Sequence, residues 1–248
     1  MSLKPQPYPD LTALARGYGY ADPAEHPARD AAQIIVPLLR ERLGFQSVLD
    51  VGCGVGIWLM EFQNQGAIEI LGLDGEWVPK DKLLIPENAF RVHNFKTPIR
   101  LERKFDLVLS LEVAEHIPEK FANDFVESLT AHGDTIVFSA AVPGQGGFQH
   151  VNEQLQDHWI TRFGKLGFRA YDVIRPAIWS NPRVPFYYAQ NILVFSRRPL
   201  PFPTEFITSP IHPELFGRRT DPRNYSLRAV IRNFPSYVAR YGRGLFHR

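Results

Sequence analysis

Two carboxylates and three glycines raise the first chemical question. Asp50 stands two residues before the first of Gly52, Gly54 and Gly56 in "VLDVGCGVGIW", and Asp74 closes "ILGLD" 24 residues further on. Glycines at alternate positions let a ligand approach bare backbone, and the acid beside them selects its charge. A pyrophosphate would be repelled by Asp50, and the dinucleotide fingerprint needs its third glycine where Ile57 stands. A ligand carrying an ammonium or sulfonium group would be attracted. An acid placed like Asp74 accepts hydrogen bonds from a ribose diol. Together these residues describe a nucleoside with a cationic amino-acid arm, which is S-adenosyl-L-methionine.

Methyl transfer from a sulfonium is an in-line displacement, so the protein must hold the acceptor atom behind the methyl carbon. A hydroxyl acceptor must also lose a proton, which calls for a base titrating near neutrality. Two histidines fall after strand-like segments: His116 in "EVAEHI" and His150 in "PGQGGFQHVNEQ". His150 is the expected base, with His116 and Glu115 beside it as the other catalytic candidates. Glu112, Glu115 and His116 are spaced i, i+3, i+4, which puts all three on one face if the segment is helical. Such a set could hold magnesium. The preferred expectation is no metal, with Glu112 and His116 lining the cofactor pocket. Asn152 is the expected N-cap of a following helix with Glu153 in its first turn, and His150 could equally be a polar loop residue capping that helix. His158 reads as a helix-surface residue, Trp159 as a core wall, and Cys53 as a small residue allowed by close packing.

These groups need a frame. Strand patterns fall at 47–51, 69–73, 89–93, 105–110, 134–140, 169–174 and 190–196, and helical patterns at 27–43, 56–65, 118–131 and 153–166. Pro37 should kink the first helix or start a new turn. Runs such as "FDLVLSL" and "DTIVFSA" read as strands buried on both faces. The expected fold is α/β: a three-layer, Rossmann-like, seven-stranded and mostly parallel sheet with helices on both faces. Three parts are expected: 1–44 as a lead-in and helix capping the substrate, 45–196 as the cofactor domain, and 197–248 as a basic Pro/Arg-rich extension.

The 248 residues carry a formal charge of +2, but residues 197–248 hold ten Arg against three acids, a balance of +7 that leaves about −5 on the rest. One cysteine excludes an internal disulfide and suits a reducing compartment. No run nears the roughly 18 apolar residues of a membrane span, and "MSLKPQPYPD" has no apolar core of a secretory signal. A cytoplasmic location is expected. Residues 225–246 alternate Leu227, Val230, Ile231, Phe234, Val238 and Tyr241 with Arg228, Arg232, Arg240 and Arg243. That stripe could meet an anionic membrane surface or pack on protein.

"VLDVGCGVG", "GLDG" and "HNFKTPIRLERKFDLVLSLEVAEHI" resemble successive motifs of the class I S-adenosylmethionine-dependent methyltransferases, over roughly 45–196. The resemblance implies that Gly52, Cys53, Gly54 and Gly56 wrap the methionine part, and that Asp74, with Gly75 after it, holds the ribose. It places Asn94 and Phe95 beside adenine, although the family often has Asp at the first of these, and Leu111 and Glu112 along the cofactor. The E-x-x-E-H pattern also resembles that of ubiquinone-biosynthesis O-methyltransferases, where it is associated with metal. "HVNEQ" followed by "DHWI" is similar to bacterial small-molecule methyltransferases linked to sugar or surface-polysaccharide pathways. The expected activity is methyl transfer to a small molecule, most simply at a hydroxyl oxygen. Two alternatives remain: an RNA methyltransferase using the basic tail, and a non-catalytic cofactor-binding domain. Nucleic acid is disfavoured, because "SLEVAEH" stands where base-directed amino methylases carry Asn-Pro-Pro-Tyr. The acceptor and the oligomeric state have no readable code.

Overall fold

The computed structural model describes residue 17, residues 22–203 and residues 208–220. Strand β1 (Ser47–Val51) is buried from its second residue onward because it has a strand on either side. It pairs in parallel with β2 (Glu69–Asp74) and with β4 (Leu107–Leu111). Beyond them lie β3 (Phe90–Val92) and β5 (Thr135–Ser139), also parallel. The last two strands break the pattern. β7 (Leu193–Ser196) inserts antiparallel between β5 and β6 (Arg169–Tyr171), giving the order β3-β2-β1-β4-β5-β7-β6. The seven-stranded, mostly parallel Rossmann-like sheet is therefore present.

Alternation along β4 builds two cores. Leu107, Leu109 and Leu111 enter one apolar cluster with helices α1 (Ala28–Leu43) and α2 (Ile57–Asn64). Val108 enters the other, with α3 (Ala122–Ala131) and α4 (Gln156–Lys165). Side chains that alternate across a strand fill both faces only when helices cover both. Helix α1 runs unbroken through Pro37 and buries Ala31, Ala32, Ile35, Val36 and Leu39 in the first cluster.

Three expectations change. Segment 190–196 is not one strand: residues Phe186–Asn191 form helix α6, and the strand starts at Leu193. Pro185 fixes the approach, and its carbonyl accepts from Tyr188 N (3.0 Å) and Ala189 N (3.3 Å). Helix α4 begins at Gln156 rather than near 153, so Asn152 is not its N-cap. Strand β6 stops at Tyr171, and a short helix α5 (Arg175–Ile178) follows.

Residues 1–210 form one compact unit and 211–248 a second, of which helix α7 (Pro213–Thr220) is described. The stripe at 225–246 lies outside the described residues. Among the described residues no helix is long and apolar enough to cross a membrane.

Candidate active site

The carboxyl ends of β1, β2, β4 and β5 meet at one edge of the sheet, and the glycine loop turns there. Gly52 (φ 92°) and Gly56 (φ 88°) sit in the left-handed region, where side chains are strained. A Cβ on Gly52 would strike Val113, and one on Gly56 would lie 2.9 Å from Ile85. Asp74 then ties the loop: Oδ2 accepts from Gly54 N (2.7 Å) and Oδ1 from Gly75 N (2.6 Å). Asp50, 2% exposed, has an Oδ2 buried with no hydrogen-bond partner among the described residues. Burial, and then the charge of Asp74, pushes its carboxyl well above the usual range. A buried acid left unsatisfied beside bare backbone fits a cationic group, which would restore its ionised form.

Cys53 is buried, its Sγ donates to Gly54 O (3.4 Å) and packs where Gly72 leaves room. Burial raises its thiol, so it is a packing residue. Leu111 is buried at the end of β4. Asn94 is exposed in a turn, its Oδ1 accepting from Lys96 N (3.1 Å), and the Phe95 ring packs on Phe125 at 5.9 Å inside the second core. Sequence reading missed Trp58 and Tyr188, whose rings meet edge to face at 5.2 Å. Burial raises the Tyr188 hydroxyl first, and Glu112 and Asp50 add to the rise, so this phenol stays neutral near both acids. The signal available was the position of Trp58 directly behind the glycine loop.

The acceptor side departs from the expected helical face. Glu112 has φ 56° and leaves β4 in the left-handed region, and only Ala114–His116 make a short 3-10 turn. The Glu112 carboxylate accepts from Gln145 Nε2 (2.6 Å) and Asn191 Nδ2 (3.1 Å) and is not part of the Glu115 and His116 cluster. His150 joins them instead. Ligand atoms of Glu115, His116 and His150 all lie within 4.8 Å of one another. The His150 ring crosses the His116 ring at 5.0 Å, and its Nε2 is 3.9 Å from Glu115 Oε1.

Glu115 is 1% exposed, and both of its carboxylate oxygens are buried without a hydrogen-bond partner among the described residues. Burial, then Glu112, pushes this acid well up. His116 is pushed down to about 4, by burial and then by His150, and its Nδ1 lies 3.4 Å from Gln149 O. Glu153, read from sequence as a first-turn acid, instead serves His150: its Oε1 sits 3.0 Å from His150 Nδ1. The amides of Gly144 (2.8 Å) and Gly146 (2.6 Å) donate to the same carboxylate. Burial alone would raise Glu153, but His150 and these amides outweigh it and hold the acid ionised. A carboxylate on Nδ1 fixes the tautomer whose lone pair is on Nε2. His158 lies 3.3 Å from Glu119 on the surface of α4, and Trp159 is in the core.

The family described as "Methyltransferase domain" matches residues 24–143, close to half the chain. Residues 24–143 match a methyltransferase domain, on a sheet with the strand order of the class I methyltransferase fold. A curated relative of this methyltransferase, the mitochondrial ubiquinone biosynthesis O-methyltransferase of Dictyostelium discoideum, is 26% identical over 147 residues, 51% of this chain and 44% of that protein. The chain thus aligns with less than half of the relative's length. Magnesium protoporphyrin IX methyltransferase of Synechocystis PCC 6803, solved with bound S-adenosylmethionine, superposes with TM-score 0.52 at 18% identity, covering 78% of this chain and all (100%) of that one. The methyltransferase domain of a bacterial Hen1 protein gives TM-score 0.51 at 17% identity, over 69% and 98% of the two chains. At these identities both show the fold.

The fold thus gathers Asp50, Gly52, Gly54, Gly56, Asp74 and Gly75 at the carboxyl ends of β1 and β2, and clusters Glu115, His116 and His150 after β4 and β5. It leaves Phe95 in the core and Asn94 in the outer turn.

Proposed function

We propose that this methyltransferase transfers the methyl group of S-adenosyl-L-methionine to a hydroxyl oxygen of a small-molecule acceptor. The observation that carries this reading is the buried Asp50 Oδ2 next to the glycine loop, which has no hydrogen-bond partner among the described residues and which a cationic group would satisfy. The cofactor, when bound, supplies an electrophilic methyl on a sulfonium. Asp50 would offset the cationic amino-acid arm, and Asp74 would reach the ribose while bracing the loop. On the far side His150 Nε2 would take the hydroxyl proton, held in the right tautomer by Glu153. Neutral His116 would shape the opposite wall. Two of the three relatives named above carry a small molecule in their names, ubiquinone and magnesium protoporphyrin IX, which supports this acceptor class. A cytoplasmic location suits the single reduced cysteine.

A second reading has its own support. The orphaned oxygens of Glu115, with two imidazoles whose Nδ1 atoms already face oxygen, suit a divalent cation at Glu115, His116 and His150. His150 would then be a ligand rather than a base. The RNA reading rests on the basic extension 197–248, of which 204–207 and 221–248 lie outside the described residues.

Calorimetric titration with S-adenosylmethionine tests the cofactor half, and no heat of binding refutes it. Tritium transfer from labelled cofactor into fractionated cell extract tests the acceptor half. Label in small hydroxylated molecules, undiminished by chelator, supports the base; loss with chelator and return with magnesium supports the cation; label in RNA overturns the small-molecule acceptor.

A further inference from the structure

His150 and Glu153 are carried on a long loop, residues 140–155, between β5 and α4. Loops are held in place by few contacts, and a base must sit within a fraction of an ångström of its target. What fixes this one is a buried side-chain network with Asn191 at its centre. Asn191, the last residue of α6, is 2% exposed. Its Nδ2 donates to Gln145 Oε1 (2.8 Å), near the loop's start, and to Glu112 Oε1 (3.1 Å), at the end of β4. Gln145 Nε2 closes a triangle by donating to Glu112 Oε2 (2.6 Å). On its other side, Asn191 Oδ1 accepts from Gln190 Nε2 (2.9 Å) and Gln156 Nε2 (3.4 Å). Gln156 is the first residue of α4, where the loop ends, and it also donates to Gln190 O (3.1 Å). As placed, both ends of the amide are matched: Nδ2 faces oxygens of Gln145 and Glu112, and Oδ1 faces the amide nitrogens of Gln190 and Gln156. One side chain thus grips both ends of the loop and the strand behind it.

Glu112 shows that the network was retained at a cost. A glutamate at φ 56° is in the strained left-handed region, and its N–H donates to both Ser139 O (3.0 Å) and Ser139 Oγ (3.1 Å). That bend is what presents its carboxylate to Gln145 and Asn191.

We infer that Asn191 is a positioning residue for methyl transfer: it fastens the loop carrying His150 and Glu153 to the carboxyl end of β4. The inference rests on the reading of His150 as the group acting on the acceptor. It does not require the acceptor to be known.

The test uses the full chain, without ligand. In Asn191→Leu, hydrogen exchange should accelerate roughly tenfold or more at Gly144, Gly146, Val151 and Asn152, whose amides hold the loop, while β1 and β4 keep their protection. Imidazole nitrogen resonances of His150 should lose the signature of an Nδ1 proton shared with Glu153. Gln145→Ala should loosen 142–147 only, and Gln156→Ala should loosen 152–156 only. Unchanged loop exchange in a folded Asn191→Leu protein, or acceleration spread evenly over the sheet, overturns the inference. If that variant does not fold, the two glutamine variants decide: each must loosen its own end, and failure of either to do so is fatal. Titration of wild-type protein with S-adenosylmethionine reads the proposed function separately, so a failure there leaves the loop result standing.

Discussion

His150 has one ring nitrogen committed to Glu153 and the other facing Glu115, so its removal deletes a proton acceptor without touching the glycine loop. His150→Ala should lower turnover about a hundredfold or more, with cofactor affinity within about twofold; single-turnover kinetics and calorimetry would show both. Glu153→Gln keeps the shape but loses the charge that fixes the tautomer, and a fall of about tenfold in turnover is expected. Glu112 makes a different kind of claim. Burial raises it to about 7, against the donors Gln145, Asn191 and Ser139. Between the ordinary carboxylate value of about 4.3 and about 7 the unfolded chain releases a proton that the native chain keeps, so stability falls as pH rises through that window. Glu115, also raised by burial, acts with the same sign. Urea midpoints should decline from pH 5 to 7, and Glu112→Gln should flatten part of that slope. The glycines and both aspartates were readable because alternate glycines next to an acid admit few uses. Glu153 was not, because a glutamate just ahead of a helix reads equally as a first-turn charge.

Asp106 shows how a strand end is set. Its Oδ2 accepts from the amides of Gln46 and Ser47 (2.9 Å each), where the chain enters β1. Burial tends to raise its carboxyl, but these bonds outweigh it and hold the acid below the usual value. The stability it confers is present above about pH 4 and is lost as pH falls through the native value. Asp106→Asn should therefore lower the thermal midpoint by a few degrees at pH 7, with the gap to wild type narrowing below pH 4; scanning calorimetry at both pH values checks it. Parallel strands with apolar runs, such as β4 and β5, were legible from sequence because both their faces are buried. Helix α6 was not. "FYYAQN" is aromatic and strand-like by composition, and only the packing of Tyr188 and Ala189 into the first core decides for a helix. The bend at Glu112 was hidden for the same reason: bonds to Ser139, Gln145 and Asn191 that are 27, 33 and 79 residues away set it, not its neighbours.

The first compact unit ends at residue 210, and both cores close within it. A chain ending at 210 should fold with a thermal midpoint within a few degrees of the full chain. It should also gain stability with S-adenosylmethionine by about 2.7 kcal/mol at a hundred times the dissociation constant; a thermal-shift series tests both. With +7 on residues 197–248 and about −5 on the rest, any retention of the full chain on anionic vesicles or RNA should weaken with salt and drop on this truncation.

The place of β7 has one more consequence. Among the described residues β6 pairs only with β7, and β5 keeps a bare flank until β7 docks against it. As the polypeptide emerges from a ribosome, β1 to β5 are complete long before residues 193–196 appear. Until then the nascent sheet shows a row of unsatisfied backbone groups beside "TIVFS", an invitation to intermolecular pairing. Maturation should therefore be a late, all-at-once event near the end of translation. Ribosome-stalled chains shorter than about 200 residues should stay protease-sensitive and chaperone-bound, however intact their cofactor loop.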